Sequence, residues 1–538
     1  MGYESNFTEK IYDNVYGFIY LTKEEKELLS TPYFQRLNHI RQLGLAYFVF
    51  PGAVHTRFSH SLGVLHIAEK MIQRLKKINY ELLTEDKNKD KYHKILRLAA
   101  LLHDIGHYPL SHTIEASYKE SSLFIEKEYN EKINPLLHKQ ANTNALTDKT
   151  QIAKDFKSDI NASNINRILY YSEKMKEIED KKYHHENLAE KVIKSKHFSN
   201  ILKNKFKIND DDIDVICKII NGTNDKKEYF ILAKIIKSNF DADQMDYMIR
   251  DTQNTGINVN IDLDYIINNL FVCKRTFDHI EREVPCYSAK ALSSIEQFLL
   301  SKYYWYSNIL YYEKSYIVNF IARRIYSYLL INNKIKKFNS MENIEELIEK
   351  PEEFFFFNDA FFWTEIEKIV SKPNKYASII VKLSKMLINR QFPKLLSQSD
   401  FYNILKRKGI SSDIQYQPSI NLQKDMKEMI QTFKKAFQDD EYIVPVPIEK
   451  EIIKVSSEES MGESKQYNNS CKKPSRKDLD AKFLKNEDIN ITTNNITCKL
   501  ITVSSIQQNQ FLNLFYDGKE VKLLYIFRLY DFSRYLGN

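Results

Sequence analysis

Apolar residues recur at intervals of three and four positions over most of the chain, from about residue 20 to residue 440. Clear examples are segments 67–78, 95–102 and 317–330. This spacing places apolar side chains on one face of a helix. Only 12 glycines and 12 prolines punctuate the 538 residues, so long helices with few tight turns are expected. The pattern predicts a mainly all-α body over residues 1–440.

Two regions depart from this pattern. Residues 118–182 are polar and rich in Asn and Lys, which predicts a surface insertion. Residues 441–538 contain a polar linker at about 455–497, followed by CKLITVSS and KEVKLLYIFRLY, which bunch β-branched and aromatic residues as strands do. We therefore expect a small C-terminal α+β lobe. The run KKPSRK in the linker can contact phosphate, but a short charge run more often forms a solvated surface.

Composition and charge narrow the class of protein. A hydrophobic content of 43% is enough to fill a sizeable core and excludes a disordered chain. The net charge of +8 weakly favours polyanionic partners, without choosing between nucleotides and nucleic acid. No stretch reaches 18 apolar residues and the N-terminus lacks a signal-peptide pattern, so we expect a cytoplasmic location and no membrane partner.

The five cysteines are scattered and odd in number, and none forms a CxxC pair. Neither a disulfide framework nor a cysteine zinc site is therefore expected, and a reducing compartment fits best.

Seven of the thirteen histidines fall between residues 55 and 112. Within this region an apolar helix runs straight into His103 and Asp104. Gly106 and Pro109 are expected to end that helix, so that both side chains turn toward one point.

Imidazole and carboxylate together are ligands that suit Mn, Fe, Zn or Ni, and an aspartate can bridge to a second, harder ion such as Mg. His60 opens another amphipathic helix and can supply a further imidazole. A single histidine of this kind is more often a hydrogen-bonded core residue, but the cluster favours a metal site.

A further carboxylate comes from a segment in which Asp243, Tyr247 and Asp251 recur at positions i, i+4 and i+8. These residues line one helical face, which is too polar for a core stripe and too aromatic for a solvated one. We expect it to form the wall of a site, with Asp243 as a metal ligand and the other two touching substrate. The alternative is a surface helix in which Asp246, Asp251 and Arg250 form local ion pairs.

The pattern His60, His103–Asp104 and Asp243 resembles the H…HD…D signature of HD-domain phosphohydrolases. The surrounding sequence is similar, more specifically, to deoxynucleoside triphosphate (dNTP) triphosphohydrolases, both the bacterial dGTPase type and the vertebrate sterile-alpha-motif/HD-domain type. Five ordered blocks carry this resemblance, at residues 31–44, 49–64, 101–112, 184–186 and 241–251. It implies an all-α HD-domain fold with a small C-terminal α+β lobe.

The resemblance assigns metal binding to His60, His103, Asp104 and Asp243. It implies hydrolysis at the α-phosphorus, which releases deoxynucleoside and intact triphosphate. Because a sugar alkoxide is a poor leaving group unless it is protonated, such a reaction needs a general acid.

The matching catalytic histidines are His107, His112 and His185, and His112 is the expected acid. Glu115, three residues further on, can orient the His112 ring and raise its pKa. The remaining assignments implied by the resemblance are substrate contacts: Arg57 on phosphate, Gln42 and Leu43 beside base and sugar, Tyr247 against the sugar, and Asp251 on the 3′-hydroxyl.

Two positions depart from the family. Gln244 stands where a Lys or Arg usually follows the metal-binding aspartate, and Ser307 aligns with a second phosphate-contacting arginine. Two missing cations favour an alternative substrate with fewer phosphates, such as a monophosphate, a cyclic nucleotide or the end of a single-stranded nucleic acid. A third possibility is a nucleic-acid-binding regulator that has lost turnover.

The resemblance further implies a homo-oligomer and a role in nucleotide-pool control or in antiviral defence. Ser30 and Asn38 replace charged residues of the vertebrate family's guanine-nucleotide activator site, so activation by GTP in that form is not expected.

Overall fold

The computed structural model describes most of the helical body and separate parts of the C-terminal region. The described residues are 6–128, 183–223, 226–238, 240–277, 280–395, 443–450, 490–493, 496–499, 516–517, 520–521 and 524–531. Residues 118–128 continue a helix, and the remainder of the expected insertion, 129–182, lies outside the described residues. Most of the expected linker, 455–497, lies outside them too.

Helices make up most of the described chain, and they are numbered here in chain order. They are α1 (Lys23–Leu29), α2 (Pro32–Gln35), α3 (Arg57–Lys77), α4 (Glu81–Thr84), α5 (Lys89–Leu102), α6 (His112–Glu128), α7 (His185–Lys194), α8 (Lys196–Phe206), α9 (Asp210–Ile220), α10 (Lys227–Ile236), α11 (Ala242–Thr255), α12 (Leu263–Asn268), α13 (Leu292–Trp305), α14 (Glu313–Ile331), α15 (Met341–Ile348), α16 (Pro351–Phe354), α17 (Asp359–Ser371) and α18 (Ser378–Ile388).

The described strands are short and form four small sheets. They are β1 (Glu9–Asp13), β2 (Gly17–Leu21), β3 (Leu270–Phe277), β4 (Ile280–Ser288), β5 (Lys394–Leu395), β6 (Ile443–Lys450), β7 (Asn490–Thr493), β8 (Ile496–Lys499), β9 (Tyr516–Asp517), β10 (Glu520–Val521) and β11 (Leu524–Asp531). The sheets have the orders β1-β2, β10-β9, β5-β11-β6 and β3-β4-β7-β8.

Apolar periodicity explains the helices that surround the site. The helix α3 buries Leu62, Leu65 and Ile72, among others, and α5 buries Leu98 and Leu102, so both contribute to one hydrophobic core. These two helices pack against each other and carry the N-terminal half of the histidine-rich region. The helices predicted from apolar spacing are thus confirmed as parts of α3, α5 and α14. The predicted segments, 67–78, 95–102 and 317–330, each finish within one residue of the C-terminal end of their helix.

The predicted fold class is confirmed: the protein is mainly all-α, with a small C-terminal part that contributes strands. Strand β7 of that part pairs in parallel with β4 of the body through Tyr287↔Ile491 and Ser288↔Thr492. The division into a body at 1–440 and a lobe at 441–538 stays a prediction. None of the described helices combines the length and the hydrophobicity needed to cross a lipid bilayer.

One cysteine pair departs from the expectation that the chain carries no disulfide framework. Cys273 on β3 and Cys286 on β4 are joined as a disulfide, with a Cα–Cα distance of 6.0 Å. Antiparallel pairing of the two strands sets Cys273 opposite Val284 and Cys286 opposite Phe271, so the sulfurs lie on neighbouring strands. This proximity depends on strand register, which cysteine spacing does not reveal.

Candidate active site

The loop between α5 and α6 carries most of the predicted catalytic chemistry. The helix α5 ends at Leu102, and His103 is its C-cap, as the Gly106 and Pro109 signals predicted. Leu110 and Ser111, at the end of the loop, have φ values of 51° and 55°, a left-handed conformation that is uncommon outside glycine.

Asp359 at the start of α17 holds this strained loop in place. One carboxylate oxygen accepts a hydrogen bond from the backbone N–H of Leu110 at 2.7 Å, and the other accepts from Arg41 N–H at 3.0 Å. The contact ties the loop to the segment that leads into α3.

The four predicted metal ligands converge from three elements: α3, the loop after α5, and α11. The Nε2 atom of His60 lies 3.0 Å from Asp243 Oδ1, 3.2 Å from His103 Nε2 and 3.7 Å from Asp104 Oδ2. His103 Nε2 and Asp104 Oδ1 are 3.5 Å apart. We call these residues the four-donor centre: His60, His103, Asp104 and Asp243.

Hydrogen bonds on the opposite ring nitrogens orient both histidines of the centre. His60 Nδ1 lies 2.7 Å from Asp246 Oδ2, and His103 Nδ1 lies 2.8 Å from the carbonyl oxygen of Ala100. Such partners fix the tautomer and leave Nε2 as the nitrogen that faces a metal. Two oriented imidazoles and two carboxylates fit a divalent transition metal.

The charges around His60 show how strongly this position attracts a cation. Burial alone would lower the pKa of His60, but hydrogen bonds to Asp243 and Asp246, with the nearby charge of Asp104, raise it to about 10. The carboxylates that stabilise a proton on the ring are equally suited to stabilise a metal ion.

Asp246 belongs to a buried network, whereas the alternative interpretation of its helix placed it on the surface. Arg250 donates to Asp246 Oδ2 at 2.8 Å and to Asp13 Oδ2 at 2.8 Å, and all three side chains are buried. The alternative interpretation of α11 as a surface helix with local ion pairs is therefore wrong. A Cβ at Gly63 would approach Asp246 Oδ1 to 1.8 Å, so this glycine allows α3 and α11 to come close enough for the contact with His60.

Arg57, the predicted phosphate ligand, lies directly behind the centre. It donates from Nη1 to Asp104 Oδ2 at 2.6 Å and from Nε to Ser111 Oγ at 2.9 Å. Burial would raise the pKa of Asp104, but the charges of Arg57, His103 and His107 hold it well below its usual value. Asp104 is therefore a carboxylate that is ready to bind a cation.

A second group, next to the four-donor centre, contains all the predicted catalytic residues. Glu115 Oε2 lies 3.2 Å from His112 Nδ1 and 3.1 Å from His185 Nδ1. The ring of His107 stacks on that of His185 with centroids 3.9 Å apart, and His107 Nε2 lies 3.2 Å from Asp104 Oδ1. We call this group the histidine–glutamate cluster: His107, His112, Glu115 and His185.

His112 is the most open member of the cluster. Desolvation lowers the pKa of its ring while the Glu115 hydrogen bond and charge raise it, and the net direction is downward. The expected upward shift is therefore outweighed. The side chain is 67% exposed, so the ring is open to solvent while Glu115 holds its Nδ1.

Gly106 explains how His185, 73 residues after His112, reaches the loop. A Cβ at position 106 would lie 2.1 Å from Ala189 N and 2.3 Å from His185 O. The glycine therefore allows the loop to contact the first turn of α7, which carries His185. The sequence identified this residue as a helix breaker, but close packing requires it as well.

The predicted substrate contacts lie in two places. Tyr247 packs against Trp305 with ring centroids 4.8 Å apart. Asp251 is fully buried and accepts hydrogen bonds from His55 Nε2 at 2.7 Å and from Trp305 Nε1 at 3.0 Å. Its two oxygens are thus held by protein groups, and sequence reasoning identified neither His55 nor Trp305 as its partners.

Gln42 and Leu43 lie close to Arg57 in the chain segment before α3. Gln42 O accepts from Arg57 Nη2 at 3.4 Å, and Leu43 is buried. The side-chain oxygen of Gln42 is also buried and has no hydrogen-bond partner among the described residues.

Lys302 is a functional candidate that sequence reasoning missed. It is buried on α13 and donates to Gln244 Oε1 at 2.5 Å, so a cation does reach the position after Asp243. Ser307 instead donates to Tyr304 O at 3.2 Å within its own turn. The available signal was a lysine inside a largely apolar helix. Because a lysine is rarely buried unless it is paired, such a residue is a functional candidate.

Comparison with known proteins agrees with these features. Residues 57–152 match the family model of the HD domain. The chain is 29% identical over 300 residues to an uncharacterized protein of Methanocaldococcus jannaschii, covering 56% of this chain and 45% of that protein. It is 22% identical over 400 residues to the deoxynucleoside triphosphate triphosphohydrolase SAMHD1 homolog of Dictyostelium discoideum, covering 74% of this chain and 62% of that protein.

The crystal structure of a hypothetical protein from Aquifex aeolicus is similar over 98% of this chain and 97% of its own, with a TM-score of 0.58 and 21% sequence identity. At this identity the likeness concerns the fold alone. The chain spans about half the length of the first curated relatives that it matches. The resemblance to HD-domain dNTP triphosphohydrolases that the motifs indicated is confirmed.

Proposed function

We propose that this HD-domain chain is a metal-dependent hydrolase that converts deoxynucleoside triphosphates to deoxynucleoside and triphosphate. The observation that supports this most strongly is the convergence of the four-donor centre beside the histidine–glutamate cluster. A metal site joined to a proton-transfer group is the arrangement that phosphate-ester hydrolysis requires.

The four-donor centre would hold the divalent ion. When bound, such an ion polarises a phosphoryl oxygen and lowers the pKa of a water molecule. The mixed imidazole and carboxylate donors suit Mn, Fe, Zn or Ni, and Mg is expected only as a second ion on carboxylate oxygens.

His112 is the proposed general acid. Its ring is open to solvent and therefore to substrate, and Glu115 orients the ring through Nδ1, so Nε2 can deliver a proton to the 5′-oxygen of the leaving nucleoside. His185 shares the same Glu115 oxygen and restricts its position. His107 links this group to the metal ligand Asp104.

Arg57 and Lys302 are the proposed cations for the triphosphate. Arg57 is fixed by Asp104 and Ser111 next to the centre, and Lys302 reaches Gln244 beside Asp243. The apparent loss of a cation at Gln244 had favoured substrates with fewer phosphates, and Lys302 weakens that alternative. Hydrolysis of a monophosphate, a cyclic nucleotide or a nucleic-acid end remains the second candidate, because a second arginine is not found at Ser307.

Nucleoside recognition is proposed for Gln42, Leu43 and Tyr247. The unpartnered, buried oxygen of Gln42 is suited to accept a hydrogen bond from a nucleoside. The Tyr247 ring, held against Trp305, would pack on the sugar. Asp251 is already hydrogen-bonded on both oxygens, so its proposed contact with the 3′-hydroxyl needs Asp251 to share an oxygen.

The test is product analysis with all four dNTPs in an equimolar mixture, supplied with Mn²⁺ or Mg²⁺. The proposal expects deoxynucleosides and tripolyphosphate from the unmodified chain and from His197→Ala, an exposed histidine outside both groups. His103→Ala should give neither product. Monophosphates and pyrophosphate as products would contradict cleavage of the bond to the 5′-oxygen. Turnover only of monophosphate, cyclic or single-stranded substrates would replace the proposal by the second candidate.

The proposal also covers the assembly, location and biological role of the protein. A homo-oligomer and a role in nucleotide-pool control or antiviral defence are proposed from the family resemblance, and a cytoplasmic location is proposed from the cysteine pattern and the sequence signals. Binding to nucleic acid without turnover is the least favoured possibility, because a pure binding module has no use for a proton-transfer group beside a complete set of metal donors.

A further inference from the structure

We propose that the histidine–glutamate cluster is itself a transition-metal site, separate from the four-donor centre, and that it takes Zn²⁺ or a similar ion. Its donors are three imidazole nitrogens and one carboxylate oxygen. One donor atom from each residue lies within 4.8 Å of the others, so modest side-chain movements would bring all four to bonds of roughly 2 Å around a single ion.

Glu115 is placed as a shared ligand. Its Oε2 atom lies between His112 Nδ1 at 3.2 Å and His185 Nδ1 at 3.1 Å. Its other oxygen, Oε1, accepts from Lys119 Nζ at 2.7 Å. The lysine therefore fixes the carboxylate and leaves Oε2 to the two rings.

The state of His107 is a separate observation that indicates a ligand. The residue is 1% exposed, and its Nε2 faces Asp104 Oδ1 at 3.2 Å. Its Nδ1 is buried and has no hydrogen-bond partner in the described part of the chain. A buried polar atom without a partner costs free energy, and a metal ion bound at Nδ1 would remove that cost.

The contact between His107 and Asp104 strengthens this assignment. A carboxylate on one ring nitrogen directs the lone pair of the other nitrogen toward a metal. The same device orients His60 in the four-donor centre through Asp246. Both sites thus contain an imidazole that is held by an aspartate on its far side.

The donor chemistry distinguishes the two sites. Three imidazoles and one carboxylate match a four-coordinate zinc site, whereas Mg²⁺ prefers oxygen ligands. The four-donor centre has one imidazole fewer and one carboxylate more. Excess Zn²⁺ is therefore expected to fill the cluster under conditions in which Mg²⁺ does not.

Occupation of the cluster would also regulate the reaction, a consequence that rests on the proposed function. An ion bound to His112 and His185 separates both rings from their hydrogen bonds with Glu115. His112 is then held as a ligand and no longer serves as the acid. Added Zn²⁺ should consequently lower the kcat of Mn²⁺-supported hydrolysis, and an unchanged kcat with the cluster filled would overturn this regulatory step.

The site itself is tested without nucleotide, by titrating the metal-free full chain with Zn²⁺ and counting bound equivalents. The unmodified chain and the matched control His184→Ala should bind two equivalents. His185→Ala and Glu115→Gln should each lose one equivalent and keep the other, while Asp104→Ala should lose the equivalent held by the four-donor centre. Circular dichroism of each variant without metal verifies that it is folded.

Two results would overturn the assignment. One is a His185→Ala chain that binds as many equivalents as the unmodified protein. The other is an Asp104→Ala chain that loses both equivalents, which would mean a single joint centre. Cobalt substitution gives a second readout, since the visible spectrum of a four-coordinate Co²⁺ site should persist in Asp104→Ala and vanish in His185→Ala. Because neither measurement uses a dNTP, failure of the proposed hydrolysis leaves the result interpretable.

Discussion

The carboxylate of Asp246 lies 2.7 Å from Nδ1 of His60, the ring nitrogen opposite the one that faces Asp243. This one contact determines which nitrogen of His60 is offered to a metal. Arg250 in turn holds the carboxylate with hydrogen bonds of 2.8 Å and 3.0 Å. The geometry of the four-donor centre therefore depends on residues that never touch the ion.

Replacing Asp246 by Asn should weaken metal binding to the four-donor centre by roughly 10- to 100-fold, as is typical when the partner of a metal-binding histidine is changed. Titration of the metal-free variant with Mn²⁺ measures this. Asp264→Asn, which changes an exposed carboxylate, is the control and should bind as the unmodified chain does. Equal affinity in both variants would show that Asp246 does not orient the ligand.

Lys302→Gln should raise the KM for dNTP by roughly 10- to 100-fold, because a hydrogen bond to a charged group contributes about 1.5–3 kcal/mol. Lys302→Arg should restore much of the loss. Exchanging the pair, with Gln244→Lys in the Lys302→Gln background, should also recover binding, because it moves the cation across the same contact. Steady-state kinetics on the three variants measures the KM. An unchanged KM in all three would show that Lys302 does not contribute to substrate binding.

Gly106→Ala should lower the free energy of unfolding by about 1–3 kcal/mol, the usual cost of overpacking, and should reduce activity strongly, because the added Cβ pushes His185 away from Glu115. Gly256→Ala is the control. Its Cβ meets nothing within 4 Å, although φ is +75°, so it should cost about 1 kcal/mol through backbone strain alone and leave activity intact. Urea unfolding and turnover measured on both variants separate the two effects. Full activity in Gly106→Ala would contradict the positioning of His185.

The residues of the four-donor centre could be proposed from the sequence because each lies at a signal that is local in sequence. The break after Leu102 and the helical spacing of Asp243 and Tyr247 needed only a few neighbouring residues. The contacts of Asp246 and Lys302 depend instead on which helices pack together. Sequence spacing gave no information on that packing, so a surface position for Asp246 stayed open as the alternative and Lys302 was overlooked.

The dependence on helix and strand packing also explains two further contacts that sequence spacing did not reveal. The contact of Asp251 with substrate stays a prediction, but its hydrogen bond with Trp305, 54 residues away, could not be predicted from helical spacing. The pairing of Cys273 with Cys286 depends on the register of a hairpin. In both cases the decisive partner is set by tertiary packing.

His66 should make stability depend on pH. Burial lowers its pKa to about 4, below the ordinary value of about 6.5 in an unfolded chain. The unfolded state therefore binds more protons between these two pH values. The contribution of His66 to the free energy of unfolding is complete above about pH 6.5 and is lost as the pH decreases toward about 4. His66→Phe keeps the stacking partner of Tyr16 and removes the titration, so its urea-unfolding free energy should change less over this pH range. Parallel curves for the two proteins would contradict the assignment.

Hydrolysis of a dNTP in ¹⁸O-labelled water, followed by mass analysis of both products, tests the central proposal most directly. Attack at the α-phosphorus requires that the label enter the tripolyphosphate and that the deoxynucleoside stay unlabelled, with no product formed by Asp104→Ala. Label in the deoxynucleoside, or labelled orthophosphate or pyrophosphate in place of tripolyphosphate, would contradict it.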